Sequence, residues 1–308
     1  MTGTVVTVGT FDGVHLGHRA VLEEIVNRAR HSGRSSMLVT FEPHPLEVVR
    51  PAAAPLRLTT AVERRDAVAP SGIDRMTVLH FDGQMATMAP AAFVDDVLRR
   101  QCDMQELVIG HDHGFGRGRS GDVETLRELG ATRGFPVDVI APVEVKGVPV
   151  SSTLIRAAVA AGDFVTAAEQ LGRRYSMMGP VVRGEARGRT LGFPTLNLDV
   201  AARKQVPPDG VYAVTVDTPL GRFGGMMNQG HRPTFDDGRR LVEVHLFGFA
   251  GDLYDAWVRV EWVTFVRDIR RFDGVAALQQ QLENDRLRAM AILADARVDL
   301  DAPLVAPE

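Results

Sequence analysis

Cys102 is the only cysteine in 308 residues, which excludes an intrachain disulfide and any zinc site built on thiolates. Lysine is almost missing too: of 35 basic side chains only Lys146 and Lys204 are lysines, and the others are arginine. Neither lysine follows a glycine-rich turn, so the G-x-x-x-x-G-K-[ST] phosphate loop is ruled out. No apolar stretch approaches the ~20 residues that span a bilayer, and the segment from Met1 to Gly13 lacks the basic flank of a secretory leader. Positive charge is not in excess: the formal net charge is −4, and neither half of the chain, divided near residue 172, is net basic. That argues against a nucleic-acid scaffold held by bulk electrostatics. The expectation is a cytoplasmic protein with small-molecule substrates and no membrane or nucleic-acid partner, with homo-oligomerisation left open. Any phosphate it handles must be gripped by histidine, arginine, backbone N–H groups or a metal.

What is present is ordinary for a globular chain, with 45% hydrophobic and 24% charged residues, and the length suits two domains of roughly 100–200 residues. The first half alternates continuous apolar runs (4–8, 36–41, 76–79, 106–110, 137–140) with helical patterns, among them one from about Gly17 to Gly33 with Val21, Ile25 and Ala29 on a stripe. Buried strands alternating with helices predict a parallel sheet covered on both faces, with ligands beyond the carboxyl ends of its strands. After Gly172 the texture changes to alternating strands (175–183, 211–216, 241–247, 257–265) between Gly- and Pro-rich turns, closed by one helix over 275–293. This predicts an α/β domain over 1–172 followed by a small antiparallel β-barrel with a C-terminal helix over 173–308.

The strongest local signal is Gly9-Thr10-Phe11-Asp12-Gly13-Val14-His15-Leu16-Gly17-His18, where the first strand hands over to the first helix. Glycines permit a tight turn and close backbone approach, and two histidines flank a helix N-terminus, where free N–H groups and the dipole favour an anion. Such a site suits attack on a nucleotide α-phosphate with pyrophosphate leaving; a phosphate nucleophile is largely ionised at neutral pH and needs no base. Ser151-Ser152-Thr153-Leu154-Ile155-Arg156 supplies a second helix start after a late strand, with Arg156 one turn in. Alone it is an ordinary cap. Two further stretches can line the same crevice: Phe41-Glu42-Pro43-His44-Pro45, and the glycine loop from Gly110 to Gly121 with Asp112 as a polar anchor.

In the second half, Gly184 and Gly188-Arg189-Thr190-Leu191-Gly192-Phe193-Pro194-Thr195-Leu196-Asn197 form a glycine-rich flap running into an extended segment. Thr195 and Asn197 are two apart and face one side, where their oxygens suit Mg²⁺. Leu241 to Phe247 alternates cleanly, with Glu243 and His245 opposite Val242, Val244 and Leu246. Glu243 is either part of a solvated outer face or a general base projecting into the barrel mouth; transfer of a phosphoryl group to an alcohol requires such a base.

Taken in order, G-x-F-D-G-x-H-x-G-H, F-x-P-H-P, the Gly110 loop and S-S-T-x-I-R resemble the adenylyltransferase module of the prokaryotic bifunctional riboflavin kinase/FAD synthetases. G-R-x-L-G-F-P-T-x-N, P-x-G-V-Y-A at Pro208 to Ala213, the run from Asn228 to Phe235, and E-x-H-L resemble the kinase module of the same family. The resemblance spans about residues 4 to 295. It implies a Rossmann-like nucleotidyltransferase domain followed by a Greek-key barrel, ATP as co-substrate with Mg²⁺, and riboflavin, FMN and FAD as substrates or products. It also implies His15, His18, Arg156 and Glu243 as catalytic residues. ATP would lie on Gly9, Thr10, Phe11, Asp12, Gly17, Ser151, Ser152, Thr153, Gly184, Arg189, Gly192 and Pro194; the flavin on Phe41, Pro43, Asp112, Asn228 and Arg271; the metal on Thr195 and Asn197. The chain departs from the family pattern at His113, Gly248 and Asp255. The competing expectations are a kinase whose adenylyltransferase half has decayed, and a flavin-binding regulator without catalysis.

Overall fold

The computed structural model describes residues 3–111, 121–184, 187–231 and 240–296. Contacts divide the chain into two compact units, Met1–Ser152 and Thr153–Glu308. The first unit holds a five-stranded parallel sheet: β1 (Thr4–Val8), β2 (Ser35–Glu42), β3 (Arg75–His80), β4 (Met104–Gly110) and β5 (Val137–Ile140), in spatial order β3-β2-β1-β4-β5. The chain runs from the centre to one edge, then crosses to the other side at β4. Its switch point therefore lies between β1 and β4, and the crevice beyond their carboxyl ends is where such a sheet takes a ligand. A two-stranded hairpin, β6 (Glu144–Val145) with β7 (Val148–Pro149), follows.

Both sheet faces are buried, as the continuous apolar strands require. Val6, Val8, Val39, Leu107 and Ile109 face one core, Val5, Leu38 and Val108 the other. On the second face lies α1 (Leu16–Ser32), through Val21, Leu22, Ile25 and Ala29; Gly33, in the left-handed conformation, ends it. Short helices α2 (Pro45–Val49), α3 (Ala61–Val68) and α4 (Gly83–Thr87) link the early strands. Beyond them α5 (Pro90–Ala92) runs on as a π-helix over Phe93–Gln101, which buries Phe93, Val94, Val97 and Leu98 against the first core. After β4, α6 (Val123–Arg133) starts on the Asp122 cap, whose carboxylate accepts from the Thr125 N–H at 2.9 Å.

The second unit takes in almost all of α7 (Ser152–Ala161), then α8 (Phe164–Leu171). A closed antiparallel barrel follows, built from β8 (Ser176–Val182), β9 (Leu196–Leu198), β10 (Gly210–Thr218), β11 (Gly221–His231), β12 (Arg240–Leu246) and β13 (Trp257–Arg267). A short helix, α9 (Arg187–Thr190), precedes β9, and α10 (Val275–Asp295) closes the described chain. Around the barrel the order is β10-β11-β12-β9-β8-β13. Ala289 and Leu293 of α10 pack on Val211, Ala213, Met226 and Val266, so that helix lies on the outer surface. Arg267 clamps it: its guanidinium donates to both carboxylate oxygens of Asp285 at 2.7–3.0 Å, and Asp285 is 2% exposed.

The expected boundary fell after Gly172, whereas the contact division falls ahead of α7 and α8. The physical reason is Phe164. Its ring meets Tyr212 edge-on at 5.8 Å and lies parallel to Trp262 at 6.5 Å, and Trp262 in turn stacks on Tyr175 at 5.5 Å. Tyr212 and Trp262 are barrel residues and almost fully buried. The tail from Asp301 to Glu308 lies outside the described residues.

Candidate active sites

In the first unit the candidate site is the turn between β1 and α1. Phe11 and Val14 adopt left-handed backbone angles (φ 48° and 40°), strained for any residue and most of all for β-branched valine. Asp12 over-determines this geometry. Its carboxylate, 2% exposed, accepts from the N–H groups of Leu58 (3.0 Å) and Thr59 (2.8 Å) and from the Thr59 hydroxyl (3.0 Å). The Thr59 hydroxyl accepts in turn from the Gly13 N–H at 2.9 Å. The Asp12 carbonyl accepts from the Ser152 hydroxyl at 2.9 Å, which ties the second helix start to the first turn. Asp12 thus makes its described bonds within the protein, holding the turn together.

His15 caps α1: its Nδ1 accepts from the His18 N–H at 3.3 Å. An accepting Nδ1 carries no proton, so the neutral ring holds its proton on Nε2. The His15 and His18 rings stack at 3.6 Å and 13°, and Phe11 lies on the other face of His18 at 4.6 Å. A Cβ at Gly17 would stand 3.3 Å from the His15 ring, so glycine there leaves the stack room. Gly9 and Thr10 precede this turn, half-buried.

The other predicted residues of this site fall as follows. Phe41 is 5% exposed, its ring set among core residues with Phe81 and Phe93. Pro43, half-buried, follows a cis peptide bond, and His44 caps α2 by accepting from the Leu46 N–H at 3.2 Å. Ser151 is half-buried and Thr153 exposed; Arg156 lies one turn into α7, within the second unit. Asp112 and His113 lie outside the described residues.

In the second unit the barrel registers gather the predicted residues. Asn228 of β11 pairs with Glu243 of β12, and Glu243 pairs with Asn197 of β9. Directly paired residues point to the same face, so three side chains stand side by side across three strands. Thr195 leads into β9, and its side chain and that of Asn197 are roofed by glycines. A Cβ at Gly184 would fall inside the Asn197 side chain, and one at Gly188 would meet the Phe193 carbonyl and come within 3.3 Å of Thr195 Oγ1. Two uncharged oxygens under a backbone cradle, with a carboxylate on the neighbouring strand, fit a hard cation that also takes phosphate oxygens. Among the described residues no cluster of three His, Cys, Asp or Glu offers another metal site.

Val242, Val244 and Leu246, 0–5% exposed, fill the interior, so Glu243 and His245 stand on the opposite face of β12, the side on which α10 packs through Met226. Closure forces this, because the all-apolar set of an alternating strand takes the inside. His245, which sequence reasoning noted only as a neighbour of Glu243, has a task. Its Nδ1 bonds the Pro194 carbonyl at 2.8 Å while Phe193 and Phe247 meet its ring edge-on. That anchors the turn leading to Thr195. Arg189, Gly192 and Pro194 are exposed along the flap, and Arg271 is exposed ahead of α10. The departures at Gly248 and Asp255 both fall at left-handed positions (φ 68° and 63°), which glycine and aspartate tolerate best.

Comparison with known proteins follows the same division. The FAD synthetase family matches residues 1–154 and the riboflavin kinase family residues 171–293. Bifunctional riboflavin kinase/FMN adenylyltransferases align over nearly the whole chain. The protein of that name from Pseudomonas fluorescens is 41% identical over 95% of this chain and 94% of its own. That from Escherichia coli K12 is 38% identical over 93% and 92%. A crystal structure from Streptococcus pneumoniae described as a macrolide-efflux protein shares the fold, with a TM-score of 0.79 and 31% identity over 92% of both chains. Among the described residues here no helix is long and apolar enough to cross a membrane.

Proposed function

Because the chain belongs to the bifunctional riboflavin kinase/FMN adenylyltransferase family, we propose that its two activities reside in the two sites just described. The chain is a transferase that phosphorylates riboflavin with ATP to give FMN and transfers AMP from ATP to FMN to give FAD and pyrophosphate. What we assign is the residues.

In the kinase step the ribityl hydroxyl must lose a proton as it attacks the γ-phosphate, and Glu243 is the base that accepts it. The side-by-side alignment of Asn228, Glu243 and Asn197 carries this assignment. Asn228 contacts the flavin side, and the flap from Gly184 to Pro194, including Arg189 and Gly192, covers ATP. Thr195 and Asn197 would hold Mg²⁺, which when bound offsets the phosphate charge of ATP. His245 keeps the Pro194–Thr195 turn in place.

In the adenylyl step the FMN phosphate attacks the ATP α-phosphate without a base. His15 and His18, at the N-terminus of α1, stabilise the charge that develops as pyrophosphate leaves, with Nε2–H of His15 as a donor. Ser151, Ser152, Thr153 and Arg156 are assigned to the same phosphates and Phe41, Pro43 and Asp112 to the flavin of this step, whereas Arg271 is assigned to the flavin of the kinase step. We read the domain limits as 1–172 and 173–308 in chain order, with α8 packed on the barrel through Phe164. A net charge of −4 and ATP dependence fit a cytoplasmic enzyme with no nucleic-acid or membrane partner.

Chromatography of reactions with Mg-ATP, begun from riboflavin and separately from FMN, tests the assignment. Glu243→Gln is expected to lower FMN formation by about 100-fold or more while FMN is still converted to FAD. Loss of both reactions, or of neither, refutes the division.

A further inference from the structure

The buried guanidinium of Arg64 stands at the foot of the adenylyl-transfer turn. Arg64 is on α3, and its side chain is 3% exposed. Nη1 donates to the Thr10 carbonyl at 3.2 Å; Nη2 donates to the Phe41 carbonyl at 3.1 Å and to the Glu42 carboxylate at 3.2 Å. Thr10 opens the turn that carries His15 and His18, and Phe41 and Glu42 end β2, just ahead of Pro43. The Thr10 carbonyl also accepts from the Thr40 hydroxyl at 3.2 Å, and Glu42 pairs with Arg57 as well. Arg64 therefore ties together the carboxyl ends of two adjacent strands of the sheet.

Stability does not account for an arginine here. Its Nε is buried without a hydrogen-bond partner, and burial pushes its guanidinium below the usual arginine range despite Glu42. A well-packed apolar side chain in place of such a buried ion pair is often as stable or more so. What a guanidinium supplies and an apolar group cannot is the direction of two carbonyls at once. Fixing the Thr10 carbonyl fixes the whole planar Thr10–Phe11 peptide, whose N–H points the opposite way, and the next residue is the strained Phe11.

We propose that Arg64 is a positioning residue for adenylyl transfer, setting the spacing between the histidine-bearing turn and the Pro43 loop by its grip on Thr10, Phe41 and Glu42. The inference rests on assigning His15 and His18 to that reaction. Arg64 touches no reacting atom; it acts through the backbone it holds. A displacement of about 1 Å at a reacting centre can cost 100-fold in rate, so losing the grip is expected to appear in kcat.

The test is Arg64→Lys in the full chain, assayed from FMN and from riboflavin at a temperature where circular dichroism shows it folded. Lysine keeps the charge but offers no fork to span both carbonyls. The expected result is a fall of about tenfold or more in kcat for FAD formation, with little change in the KM for ATP and with riboflavin phosphorylation unchanged in the same preparation. An unchanged kcat overturns the proposal, as does a loss of FAD synthesis that merely follows the unfolded fraction. If the lysine variant does not fold, Arg64→Met decides: it fills similar space with an apolar side chain but offers no donor to either carbonyl, and a fall of about tenfold or more in the same kcat is expected. No fall overturns the proposal. His18→Ala run alongside separates the levels. If His18→Ala leaves FAD synthesis intact, the site assignment itself is wrong; if it abolishes synthesis while Arg64→Lys is silent, only the role of Arg64 is refuted.

Discussion

Replacing Phe164 with alanine should weaken the barrel although the residue lies outside it in sequence. The ring is 9% exposed and packs on Tyr212 and Trp262. Truncating a buried phenylalanine removes apolar contact and leaves a cavity, a loss of about 4 kcal/mol, to which the edge-on pair with Tyr212 contributes. With a urea dependence of about 2 kcal/mol per molar for a unit of this size, the midpoint should fall by about 2 M. The assay comes from the sequence: the two tryptophans, Trp257 and Trp262, both lie on β13, so tryptophan fluorescence reports only the barrel. Titrating both proteins with urea and following this signal measures the shift. An unchanged midpoint would refute the reasoning, because it would mean that α8 is not part of the barrel's folding unit.

Three further outcomes are expected. Gly184→Ala should abolish FMN formation with FAD synthesis from FMN retained, because the added Cβ meets the Asn197 side chain; product chromatography decides. Asp12→Asn should cost the first unit about 2–3 kcal/mol, since an amide cannot accept from Leu58, Thr59 N–H and the Thr59 hydroxyl together; FAD synthesis should be lost at a lower temperature than riboflavin phosphorylation. Burial, aided by Asp209, pushes the Tyr212 hydroxyl up to about 12 from 10.0. The folded state then holds this proton more tightly than the unfolded state. Its contribution is complete below pH 10 and fades as pH rises towards 12, by about 3 kcal/mol in all. Urea midpoints between pH 9 and 11 should therefore fall more steeply for the native chain than for Tyr212→Phe, and parallel curves would contradict this.

Legibility in the sequence tracked how local the cause was. β1, α1 and β12 were readable because a strand pattern or an apolar stripe is written within the element itself. β11 was missed because Gly221, Gly224, Gly225 and Gly230 erase the alternation; its strand character comes from pairing with β10 and β12 on both sides. β9 has only three residues. The two histidines and Glu243 were found through spacing, but the jobs of their supports were not. Asp12 is bonded to residues 46 and 47 positions away, and Arg64 meets Thr10 across 54. Such partners are brought together by the sheet, and no local pattern announces them. The face of Glu243 was open for a related reason: alternation gives two faces, and only closure says which is inside.

The barrel's closure also governs how this protein can change length. Every one of its six strands is hydrogen-bonded on both sides, so none can slide to absorb a lost or gained residue. Deleting one codon within β12 would swing Glu243 into the position of an interior valine and present a valine between Asn228 and Asn197. Substitutions within the strands are negotiable; deletions and insertions are not. Related chains should therefore keep their gaps in the connections between strands, and any homologue with an odd-length gap inside β12 should have lost the kinase reaction.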